Sequence, residues 1–153
     1  MNPAAAARWP GLVAALWWGS LSTIGLLVVP LLFRYLPSPA MAGATAARLF
    51  AAQTWVSVGC CFLLLMSSRP KEGVAHASRV QAAIVFIALG LLLALLAEFG
   101  VAPRIVAREN LRLWHGVGSA MYLGQWLCAT LVLWRLLAPP REGSAPAGPE
   151  QGA

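Results

Sequence analysis

Apolar residues in this chain run in long blocks rather than alternating with polar ones, and the blocks set the reading of everything else. Four of them stand out, at about 10–33, 46–66, 80–101 and 113–137. A helix crosses a hydrocarbon core of about 30 Å with roughly 20 residues, so each block is long enough to span a membrane. The blocks are too continuous for the alternating strands of about 10 residues that build an outer-membrane barrel. The predicted fold is therefore all-α, an integral membrane four-helix bundle made of two antiparallel helical hairpins. Short connections enforce the antiparallel order: 34–45 carries two prolines, 67–79 carries Pro70 and Gly73, and 102–112 carries Pro103. Residues 1–9 form a short N-terminal segment that leads into the first block. That block runs well past the apolar length of a secretory signal and no A-x-A-like site follows it, so it is expected to stay on the mature protein. After Leu137 the chain is rich in Pro, Gly and Ala, and 139–153 is expected to be a disordered tail.

Composition agrees with the pattern. Of 153 residues, 59% are hydrophobic and 10% charged, against about 25% charged in soluble domains, which excludes a water-soluble monomer. The net charge of +6 would suggest nucleic acid in a soluble chain; in a membrane chain it suggests anionic headgroups and topology signals, and no nucleic-acid partner is expected. Four spans put both termini on one side, and the basic residues then divide six to five. Arg8, Arg69, Lys71, Arg79, Arg135 and Arg141 lie with the termini, against Arg34, Arg48, Arg104, Arg108 and Arg112 opposite. The reading favours cytoplasmic termini, because 69–79 is an ordinary short basic loop. The three cysteines, Cys60, Cys61 and Cys128, all lie inside apolar blocks and read as buried packing residues.

In lipid, close approach of small residues and interhelical hydrogen bonds hold helices together. Stripes of small residues at four-residue spacing are the predicted contacts: Gly11, Ala15, Gly19 and Thr23 in the first block, Gly90 and Ala94 leading to Glu98 in the third, and Gly116, Ala120, Gly124 and Cys128 in the fourth. Trp9, Trp114 and Trp134 fall near block ends, where indoles sit among headgroups. Trp17, Trp18, Trp55 and Trp126 lie deeper and need an N–H partner or a packing role.

Polar groups concentrate at the end carrying the first and third loops, where Arg34, Arg48, Arg104, Arg108 and Arg112 gather with Glu98 and Glu109. Glu98 lies inside an apolar run, where a charge is expensive, and Arg48 or Arg104 is the expected partner. His115 shares a helical face with Ser119, Tyr122 and Trp126. The candidate anion-binding or polar site is thus Arg34, Arg48, Glu98, Arg104, Arg108, His115, Ser119 and Tyr122. Guanidinium forks suit phosphate and carboxylate, so an anionic lipid is the expected ligand alongside the bilayer itself. No metal site and no cofactor are expected, because His115 has no second axial ligand in the chain. No Walker loop, HExxH helix, GxSxG elbow or nucleotide-binding fingerprint is present, so no enzymatic activity is expected.

A weak internal echo joins the two halves: Val28-Val29-Pro30 and Val101-Ala102-Pro103 each close an odd-numbered block and precede an arginine. With Leu16-Trp17-Trp18-Gly19, Val29-Pro30-Leu31-Leu32-Phe33-Arg34, Ala47-Arg48-Leu49-Phe50 and Leu113-Trp114-His115-Gly116-Val117-Gly118-Ser119, the chain resembles the transmembrane protein 205-like family. Bacterial members of that family are described as domain of unknown function 4149. Ala47 departs from the pattern where a glycine is common, and Gly118-Ser119 shifts the small polar residue that follows the histidine-glycine pair. The resemblance implies a small four-helix inner-membrane protein without an established activity, whose eukaryotic relative is associated with platinum-drug resistance and export. The expected role is a transport-related or accessory component, homo-oligomeric or with a membrane partner, binding an anion or lipid at its arginine-rich end. The alternatives are a haem- or metal-dependent redox protein centred on His115 and a small-molecule exporter.

Overall fold

A computed structural model describes residues 3–68 and 74–138, with side chains described over 9–68 and 81–138. The first span begins as α1 (Pro3–Ser22), widens into a π turn over Thr23–Val28 and resumes as α2 (Val29–Tyr35). Helix α3 (Pro39–Ser67) is the second span. The third repeats the design of the first, with α4 (Val74–Leu95), a π turn over Leu96–Val101 and α5 (Ala102–Val106). Helix α6 (Leu111–Leu137) is the fourth. All four spans are long and apolar enough to cross a membrane.

The prolines account for both π turns. A proline inside a helix lacks the N–H and drives its ring against the carbonyl four residues back. One residue before Pro30, the Val29 N–H reaches back five residues to the Ile24 carbonyl; one residue before Pro103, the Ala102 N–H does the same to Ala97. The extra residue in the turn makes room for the ring, so the helix widens and continues instead of breaking.

Two predicted connections are shorter than expected. The reading of 34–45 as a loop is corrected to 36–38, because Ser38 caps α3 by accepting from the Met41 N–H at 3.2 Å and Pro39 is its first residue. A capping serine followed by proline is a helix start, not a breaker. Arg48, near the start of the predicted block 46–66, consequently lies about two and a half turns inside α3. The connection predicted over 102–112 shrinks to a turn over 107–110, since Pro103 is helical. That turn uses two left-handed residues, Arg108 (φ 57°) and Asn110 (φ 35°), and asparagine tolerates such a backbone better than most. The predicted tail, 139–153, lies outside the described residues.

The spans close a ring in chain order: α1 packs on α3 and α6, and α4 packs on α3 and α6. The first and third spans therefore stand diagonally across the bundle. Trp17, Leu21, Cys61, Leu64, Ile87, Ala129 and Val132 fill the centre, with Cys60 and Cys128 beside them, all three cysteines free and buried.

The first-block stripe and the outer half of the fourth-block stripe are not where these helices meet. A Cβ added at Gly11, Gly19 or Gly116 would touch nothing within 4 Å, and Ala15 and Ala120 are exposed. Among the glycines and alanines of those two stripes only Gly124 is tight, its added Cβ lying 3.0 Å from Leu93. The third-block stripe does pack, with Gly90 2.7 Å from the Trp17 ring and Ala94 buried, and a further close approach outside all the stripes is Gly25, 2.6 Å from the Tyr122 ring. What makes a glycine necessary is the large side chain opposite, and that partner is on another helix.

Candidate functional site

Serines, glutamines and indoles that fall within apolar runs meet at the middle of the bundle. Trp17 Nε1 donates to Ser57 Oγ at 3.1 Å, and Ser57 donates in turn to Gln125 Oε1 at 3.0 Å. Gln53 Nε2 donates to Ser20 Oγ at 3.0 Å and approaches Ser57 Oγ at 3.4 Å. A second set joins the first and fourth spans: Trp18 donates to Thr130 at 3.0 Å, Trp126 to Ser22 at 2.9 Å and the Tyr122 hydroxyl to the Leu21 carbonyl at 2.8 Å. Three of the four deep tryptophans thus have the N–H partners their depth demanded. Trp55 instead lies on the outer surface, 64% exposed.

One atom in this network is left over. Ser20 spends its own proton on the Trp17 carbonyl and Ser57 spends its proton on Gln125, so both hydroxyls face Gln53 as acceptors. They hold its amide nitrogen, and its Oε1 is buried without a donor. An orphaned buried acceptor of this kind calls for an explanation.

Gln53 also lines a cavity of about 540 Å³ between the four spans, running from mid-bundle toward the end that carries the first and third loops. Both π turns border it, through Gly25 and Leu26 on one side and Ala97, Glu98 and Val101 on the other. The lining is mainly apolar and aromatic.

The cavity divides the predicted site residues into two groups. Glu98, His115, Ser119 and Tyr122 all line it. Arg34, Arg48, Arg104 and Arg108 do not; they are exposed around the outside of the same end, as is Arg112. The expected pairing of Glu98 with Arg48 or Arg104 is not made: Arg104 Nη1 donates to the Gly100 carbonyl at 2.6 Å, and its guanidinium lies 4.5 Å from the centre of the Trp114 ring. Among the described residues Glu98 has neither a cation within 4 Å nor a hydrogen-bond donor. Arg34 lies over the Tyr35 ring at 5.9 Å. His115 Nδ1 donates to the Leu111 carbonyl at 3.1 Å. Among the described residues no three His, Cys or Glu side chains converge in a way that could hold a metal ion.

Gln53, Ser57 and Gln125 are the residues whose joint role the sequence hid. Polar side chains four residues apart in an apolar run mark Gln53 and Ser57 as interior, but which helix supplies their partners follows only from the ring of contacts.

These features define a polytopic helical membrane bundle with an apolar cavity and a shell of arginines at one end. The family model described as Domain of unknown function (DUF4149) matches residues 12–113, and the chain belongs to that family. Comparison with curated proteins and with solved structures gives no match.

Proposed function

We propose that the protein is a non-enzymatic multipass protein of the bacterial inner membrane, a transport-related or accessory component that binds anionic lipid at its arginine-rich end. The observation that carries this reading is the state of the arginines. Arg34, Arg48, Arg104, Arg108 and Arg112 are all exposed at one end of the bundle, and among the described residues none has a carboxylate within 4 Å. Arg34, Arg104, Arg108 and Arg112 lie at or beside span ends and Arg48, further along α3, extends its long side chain toward the same end, where phosphate offers a guanidinium a two-pronged acceptor. The indole beneath Arg104 holds that fork in place.

Binding to the folded state alone raises stability in proportion to ligand occupancy. Phosphatidylglycerol added to detergent-solubilised protein is expected to raise its Tm, phosphatidylethanolamine to do so far less, and the Arg48→Ala, Arg104→Ala double variant to lose most of the difference. Equal shifts with both lipids, or a full shift in the double variant, would count against the reading. Cytoplasmic termini belong to the same proposal, and a reporter fused after Ala153 checks them by its activity on one side of the membrane.

A further inference from the structure

Glu98 and Gln53 present the same problem from two directions. Glu98 is a carboxylate in the third span's π turn, without a cation or a donor among the described residues. Gln53 is the fifteenth of the 29 residues of α3, so its orphaned Oε1 sits at the depth where water is scarcest. Both residues line the cavity of about 540 Å³, a volume typical of small-molecule sites. Glu98 is half-buried, and an ionisable group inside a membrane span is by default a functional one.

The remaining lining says what would fit. Phe50, Tyr122 and Trp126 bring aromatic surface to the cavity, with Phe50 and Tyr122 packed edge to face at 5.2 Å. Aromatic faces attract cations, more strongly when water is excluded. None of the five arginines lines the cavity, so among the described residues no guanidinium competes for the carboxylate there. Its rim is apolar and open: Leu26, Phe33, Val106 and Leu123 are each more than half exposed. In a bilayer that rim meets hydrocarbon, and a molecule soluble in lipid can enter sideways.

We propose that the cavity between the two π-turned spans binds a lipophilic ammonium compound, with Glu98 as its counter-charge and the Gln53 side chain bordering its mid-bundle end. The inference does not rest on lipid binding by the arginines, which lie outside the cavity. The π turns give the site its shape, since each widens one of two diagonal spans at the same end and the cavity lies between them.

A matched pair of probes tests the chemistry: 1-pyrenemethylamine, protonated at neutral pH, and the neutral 1-pyrenemethanol. Binding is read by energy transfer from tryptophan to pyrene with the full chain in nanodiscs of zwitterionic lipid, empty nanodiscs serving as the blank. The ammonium probe is expected to bind saturably, one per chain, and at least tenfold more tightly than the alcohol. Glu98→Gln should remove that preference and leave the alcohol's binding in place, while Glu98→Asp should keep a preference. No saturable binding of the ammonium probe, equal affinity for the two probes in the unmodified chain, or a preference that survives Glu98→Gln would each overturn the proposal. The comparison of the two probes on the unmodified chain stands even if a Glu98 variant fails to fold.

Discussion

Ser57 stands where three helices share their polar groups: it accepts from Trp17, donates to Gln125 and lies within reach of Gln53. Truncating it strands a buried indole N–H and a buried amide oxygen, and an orphaned buried group costs about 1–3 kcal/mol. An interhelical side-chain hydrogen bond in a membrane protein contributes only about 0.6 kcal/mol on average. Ser57→Ala is therefore expected to destabilise the bundle by about 1–3 kcal/mol, and Thr130→Ala, which loses a single contact from Trp18, by less. Unfolding in mixed micelles followed by tryptophan fluorescence gives the comparison, and equal losses would show that Ser57 is no hub. Depth alone pointed to partners for Trp17, Trp18 and Trp126, because an indole N–H in hydrocarbon is too costly to leave bare. The identity of those partners was not legible, since Ser20, Ser22 and Thr130 look like ordinary helix-surface hydroxyls until the helices are set side by side.

Two helical features carry predictions of their own. Removing the cap of α3 by Ser38→Ala should cost about 1 kcal/mol, read in the same unfolding assay. Glycines on different faces should respond in opposite directions. Gly90→Ala forces a methyl against the Trp17 ring and should destabilise by about 1–3 kcal/mol. Gly19→Ala meets open space and should be neutral or gain up to about 1 kcal/mol from helix propensity. If Gly19→Ala instead lowered stability and changed the elution volume of the purified protein, the outward stripe would be a contact between copies of the chain. The repeated Val-Val-Pro and Val-Ala-Pro endings were visible as a sequence echo, but not the π turns behind them. A proline late in an apolar run is compatible with a break, a kink or a widened turn, and packing against the neighbouring spans selects among the three.

At the scale of the whole molecule, hydropathy made the fold legible because length and continuity of apolar blocks leave few alternatives in a bilayer. The gathering of arginines at one end was legible for a related reason, as most charges fall between such blocks or near their ends. The cavity was not, since it depends on two diagonal spans widening at one end, and the candidate residues that looked like one cluster divide into an inner set around Glu98 and an outer set of arginines. The outer set carries the central claim, that this end of the bundle holds anionic lipid. Native mass spectrometry of protein released from nanodiscs containing equal phosphatidylglycerol and phosphatidylethanolamine tests it directly. Phosphatidylglycerol should dominate the retained lipid and fall away in the Arg48→Ala, Arg104→Ala variant. Retention of both lipids in proportion to their supply, unchanged by those substitutions, would contradict it.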